Sequence, residues 1–127
     1  MIVLDTHAWV WFTSDPDRLS ARARKAIRAS KDRSISAMSC WEVAMLVSRG
    51  RLALDRDPLA WMEESLRTND IELLPLTPTI GVVSVAYGGF RGDPVDRVIV
   101  ATAQVHAATL VTKDHAIIEA GLVPVVW

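Results

Sequence analysis

Ile2-Val3-Leu4-Asp5-Thr6-His7 decides the fold of this chain. Three apolar residues in a row are too few for a helix and read as a short strand buried on both faces. An acid closes the run. The chain then passes into a segment carrying Trp9, Trp11 and Phe12, for which Thr6 is a ready helix cap. Strand, acid, helix is the opening of a βαβ unit, and the rest of the sequence repeats that alternation.

Asp15-Pro16-Asp17 breaks the first helix, and Ser20 opens a second to about Ala29 with Ala23, Ala26 and Ile27 on its apolar stripe. Ser34-Ile35-Ser36-Ala37 is a weak second strand. Ser39 starts a helix through Val47, ended by Gly50. Asp57-Pro58 and Thr77-Pro78 are helix starts in which a side-chain oxygen caps and proline occupies the first turn, where its missing N–H costs nothing. After the first of these, Leu59, Met62 and Leu66 are the expected buried positions, with Trp61 partly so. After the second they are Ile80, Val83 and Ala86. Between them, Ile71–Leu76 forms a strand. Gly88–Gly92 is a glycine-rich loop expected to be mobile. Asp93-Pro94 opens a helix to about His106, Thr109–Thr112 is a strand, a short helix runs to Ala120, and Val123–Val126 is the last strand. The expected fold class is α/β: one domain over residues 1–127, with about five short, mainly parallel strands covered by helices on both faces.

In such sheets ligands bind beyond the carboxyl ends of the strands. Four acids stand at or near element ends: Asp5, Glu42, Asp96 and Asp114. Asp5 is the hardest to explain by structure alone, because Thr6 can do the capping and a carboxylate in an apolar setting needs a partner. Glu42 fits a capping box with Ser39. Asp93 is the natural cap before Pro94, which leaves the Asp96 carboxylate to place. Asp114 can cap the helix after it, with Thr112 and Lys113 beside it to meet a phosphate. Two carboxylates about 4 Å apart repel by roughly 4 kcal/mol at an effective dielectric of 20, so a cluster must protonate, separate or bind a cation. Oxygen donors with no cysteine suit Mg²⁺ or Mn²⁺ better than zinc. His7, His106 and His115 lack metal-ligand spacing and read as surface or helix-end residues.

Composition narrows the class. The chain has 127 residues, half of them hydrophobic, with a net charge of -1. That supports one well-filled core and no general basic field for nucleic acid. One segment is basic: Arg18, Arg22, Arg24, Lys25, Arg28, Lys31 and Arg33, a solvated helix face or a guide for a polyanion. Cys40 is the single cysteine, so no internal disulfide forms. No run is long enough to span a membrane, and the first residues read as a strand and not a leader; a cytoplasmic protein is expected. Five tryptophans exceed what so small a core is expected to hide, which points to a homodimer.

Taken in order, Val3–His7, Ser36–Glu42, Gly92–Ala103 and Leu110–Asp114 resemble the PIN-domain family, and within it the VapC-type ribonuclease toxins of toxin–antitoxin pairs. The resemblance spans nearly the whole chain. It implies an acidic pocket holding Mg²⁺ or Mn²⁺, endonucleolytic cleavage of RNA, a homodimer and a cognate antitoxin inhibitor. It carries the metal-binding acids to Asp5, Glu42, Asp96 and Asp114, with Asp93 as a further member. Thr6, Thr112, Lys113 and Arg97 are the candidate phosphate contacts. Two other readings compete: a partner-binding domain whose acids are only caps, and an aspartyl-phosphate phosphatase. The second expects an acid two residues after Asp5, where His7 stands.

Overall fold

The computed structural model describes residues 1–127. Five strands form one parallel sheet in the order β3-β2-β1-β4-β5: β1 is Ile2–Leu4, β2 Arg33–Ser36, β3 Ile71–Leu74, β4 Thr109–Val111 and β5 Val125–Val126. The helices are α1 (Thr6–Ser14), α2 (Ala21–Ala29), α3 (Ala37–Ser48), α4 (Pro58–Thr68), α5 (Pro78–Ala86), α6 (Pro94–Val105) and α7 (His115–Ala120). The expected α/β class and strand number are borne out.

Strand alternation builds two cores. Ile2 and Leu4 of β1, Ile35 of β2 and Val111 of β4 face a layer containing Trp9, Ile27, Val43 and Trp61 from α1–α4. Val3 and Leu110 face the other way, onto Val95, Ile99, Ala103 and Ile117 from α6 and α7. A period-two strand between two helical layers must be apolar throughout, and β1 is buried at all three positions. β1 has β2 on one side and β4 on the other, so the chain reverses its progress across the sheet there. That is the topological switch point at which a crevice opens beyond the strand ends. The Asp5 amide donates to the Val111 carbonyl at 3.0 Å, which ties the end of β1 to the end of β4.

Several local expectations change. The α1 cap is Asp5 and not Thr6: its carboxylate accepts from the Ala8 amide at 2.8 Å. α3 starts three residues earlier than expected, capped by Ser36, so the Ser39–Glu42 box does not form. On α4, Trp61 is buried and Leu59 is 64% exposed, the reverse of the expected order. The Trp61 indole instead bridges to Ser14, and its ring packs on Trp9 at 5.2 Å. On α5 the second buried position is Ser84, while Ala86 is exposed.

The Gly88–Gly92 loop is anchored, and the anchor is Arg97. Its guanidinium donates to the backbone carbonyls of Gly92, Ser84, Tyr87 and Phe90. Phe90 is buried, and a Cβ on Gly92 would meet its ring at 2.4 Å, so the loop needs glycine there. Arg97 therefore does structural work on the loop. The expected phosphate contact at Arg97 would have to share a guanidinium already engaged by these carbonyls.

A candidate acidic active site

One open pocket of about 720 Å³ lies at the carboxyl ends of β1 and β4. Asp5, Glu42, Asp93, Asp96 and Asp114 all line it. They come from four separate segments, so the fold does gather them. Thr6 and Lys113 line it too. Thr112 is buried behind the wall. Its hydroxyl accepts from the Asp114 amide at 3.1 Å and faces the Asp5 carboxylate.

Three of the acids cap helices. Asp5 caps α1, Asp93 accepts from the Asp96 amide at 2.8 Å to cap α6, and Asp114 accepts from Ala116 and Ile117 to cap α7. Each cap fixes its carboxylate at a positive helix end. Glu42 and Asp96 cap nothing. Glu42 lies inside α3, one turn beyond the Ser39 hydroxyl that accepts a 3.1 Å bond from Thr6. That buried contact fixes α1 against α3 and engages the Thr6 hydroxyl, although Thr6 also lines the pocket.

Electrostatics shows how the acids sense one another. Asp96 is pushed up to about 7, first by burial and then by the carboxylates of Asp93, Asp114 and Glu42. Asp5 is also raised, chiefly by burial and in small part by Glu42, against hydrogen bonding from Thr112 and Ala8 and the nearby His7. Glu42 thus enters the field of both Asp5 and Asp96 and joins the two sides of the pocket. The donor set fits a hard divalent cation in kind: carboxylate oxygens, no sulfur, and a surplus of negative charge. As the side chains stand, no three His, Cys, Asp or Glu groups converge closely enough to enclose an ion. The fit is one of chemistry and charge, without a preformed cage.

The sequence reading missed part of the wall. His7, Trp11, Arg18, Arg51 and His115 also line the pocket. His7 and Trp11 are four residues apart on α1, on one helix face, which is the one local signal that pairs them. Of the basic run from Arg18 to Arg33, only Arg18 reaches the pocket. Of the five tryptophans, Trp9, Trp11 and Trp61 are buried and Trp127 is half-buried; Trp41 alone is exposed. The aromatic surplus is largely absorbed by the core.

A parallel α/β sandwich with acids at its switch point defines a class of sheet-edge acidic pockets, and comparison gives the family. The PIN domain family matches residues 2–122, and the chain belongs to that family. It is similar to Ribonuclease VapC22 of Mycobacterium tuberculosis, at 35% identity over 90% of this chain and 87% of the relative. Among solved structures it is similar to a toxin–antitoxin complex from Klebsiella pneumoniae, with a TM-score of 0.68 at 21% identity over 100% of this chain and 97% of that one. It is also similar to FitAcB from Neisseria gonorrhoeae, with a TM-score of 0.64 at 25% identity over 98% of this chain and 96% of that one. No helix is long and apolar enough to cross a membrane.

Proposed function

We propose that this PIN domain is a divalent-metal-dependent endoribonuclease and acts as the toxin of a toxin–antitoxin pair. The observation that carries the reading is the gathering of Asp5, Glu42, Asp93, Asp96 and Asp114 on one pocket, where burial first, and then Asp93, Asp114 and Glu42, push the half-buried Asp96 carboxyl up to about 7. A protein gains nothing in stability from such repulsion, whereas a bound cation relieves it. Similarity to a named ribonuclease along nearly the whole chain gives the reading its substrate class.

Asp5, Glu42, Asp96 and Asp114 would hold Mg²⁺ or Mn²⁺, with Asp93 at the rim. When bound, such an ion polarises a phosphodiester and lowers the pKa of water that attacks it in line. The chain's own residues do the rest. The Ala8 amide, with Thr112 behind it, fixes the Asp5 carboxylate. The three helix mouths at Asp5, Asp93 and Asp114 hold fixed positive ends toward the site. Lys113 stands at the rim to meet a phosphate. Incubation of RNA with protein and Mg²⁺ should give cleavage that EDTA abolishes and that Asp5→Asn removes. Cleavage that survives both changes would sink the proposal.

The antitoxin and the homodimer belong to the same proposal. Solved complexes of similar fold contain a toxin with its antitoxin. Exposed Val82 and Val85 on α5 give the chain an apolar surface that the tryptophans do not. Sedimentation at micromolar concentration tests the dimer.

A second reading has one observation in its favour: Asp5, Asp93 and Asp114 do cap helices. A purely structural set leaves Glu42 and Asp96 without a role. It expects no change in thermal stability across millimolar Mn²⁺.

A further inference from the structure

The pocket carries cations as well as acids. Two of them are Arg18, at the end of the short turn Pro16–Arg18, and Lys113, just past β4. Both cations lie over one ring: the Arg18 guanidinium and the Lys113 ammonium are each 4.8 Å from the centre of the Trp11 indole. The ring is itself held. Trp11 is 8% exposed, with His7 and Trp127 packed at 5.6 and 5.9 Å.

Neither cation has a carboxylate partner, although five carboxylates line the same pocket. The reason is local. Asp17, next to Arg18, pairs with Arg24, and Asp114, next to Lys113, is turned into the mouth of α7. Two like charges brought to one aromatic support, with the neighbouring acids engaged elsewhere, leave an unneutralised positive patch in a pocket that also holds the acids. A metal ion answers the acids. An anion answers the cations.

We infer that Arg18 and Lys113, carried on Trp11, form a subsite for a backbone phosphate of RNA that flanks the bond lying over the acids. The inference rests on the nuclease reading above and adds to it a second contact that orients the strand. An indole face supports cations by its quadrupole without neutralising them, so both stay available to a phosphate. Arg18 and Lys113 act in binding, and Trp11 is a positioning residue acting through them.

The test separates binding from cleavage. A fluorescein-labelled, mixed-sequence single-stranded RNA of about twenty nucleotides is titrated in EDTA across a salt series, where each lost phosphate contact flattens the slope of log K against log salt by about 0.7. Arg18→Ala and Lys113→Ala should each flatten the slope toward that extent, and the double variant by about twice as much. Arg22→Ala, an exposed change of the same charge outside the pocket, should leave it unaltered. Arg18→Lys should restore most of the affinity. With Mn²⁺ present, Arg18→Ala should raise KM and leave kcat within about twofold, the mark of a lost uniform contact. Trp11→Leu should weaken binding as the double variant does, and Trp11→Phe should recover it, with circular dichroism reporting the fold. Slopes for Arg18→Ala and Lys113→Ala equal to that of Arg22→Ala overturn the subsite, whether or not the wild type cleaves. Wild-type RNA binding in EDTA with no cleavage in Mn²⁺ overturns the nuclease reading and, with it, the claim that this phosphate flanks a scissile bond.

Discussion

The starts of α4 and α6 are nearly the same in sequence chemistry and differ entirely in consequence. Asp57-Pro58-Leu59-Ala60 and Asp93-Pro94-Val95-Asp96 each place an aspartate cap, a proline in the first turn and an amide bonded back to the cap. The bonds are 3.1 Å from Ala60 to Asp57 and 2.8 Å from Asp96 to Asp93. The α4 start lies on the surface, where Asp57 has only its cap to make. The α6 start opens into the pocket, where Asp96 meets Glu42 from α3 and Asp114 from beyond β4. A helix mouth becomes a candidate site when the sheet places other segments' acids in front of it.

That comparison can be broken at several points. Asp96→Asn should reduce RNA cleavage at least by the roughly 100-fold that losing even an outer-shell partner of a metal can cost. Asp57→Asn should leave the rate unchanged. Equal rates for the two variants would erase the functional difference between the helix starts.

Metal should read the same contrast in stability. At Mn²⁺ one hundred times its dissociation constant, the wild type and Asp57→Asn should each gain about 2.7 kcal/mol, read as a rise in Tm. Asp96→Asn should gain less. An identical rise in all three proteins would place the ion outside the pocket.

A proton should do in part what the metal does. The Asp96 carboxyl goes from an ordinary 3.8 to about 7 on folding. The native state therefore holds its proton more tightly than the unfolded chain, and the metal-free protein loses stability as pH rises from about 4 to about 7. After discounting for solvent screening, this amounts to about 1–2 kcal/mol. Denaturant midpoints in EDTA should show Asp96→Asn gaining on the wild type across that window. A difference that stays constant with pH would contradict the raised Asp96 carboxyl.

The smallest effect concerns the caps themselves. Asp57→Ala should cost about 1 kcal/mol, the ordinary worth of such a cap. Asp93→Ala should cost less at pH 8 in EDTA, because it removes a charge that presses on Asp96. Equal costs would mean that the two mouths feel the same field.

Much of this was legible in the residues. The βαβ rhythm, the Ser20, Asp57, Thr77 and Asp93 caps and the Gly121 stop are local, and each formed where expected. The acids that share a pocket were also picked out, because strand ends in a parallel sheet have only one rim to share. The failures have one cause. The start of α3 moved to Ser36, and Ser39 turned inward to Thr6 in place of capping. Trp61 displaced Leu59 from the core because Trp9 and Ser14 lay across from it. The hold of Arg97, next to Asp96 in sequence, on the carbonyls of its own loop was likewise not foreseen. In each case a partner far along the chain or on a neighbouring turn chose the face, which no local pattern records.

The sequence by itself determined the elements, their order and the identity of the acids, because caps, apolar runs and proline act within a few residues. Only the tertiary structure decided which carboxylates press on one another and that Glu42 links the two sides. It also decided that Arg18, Trp11 and Lys113 stand together in the same pocket. Coulombic and cation–aromatic energies depend on distance through space, and the chain brings residues 18 and 113 within 5 Å of the Trp11 ring only when β1 and β4 lie side by side.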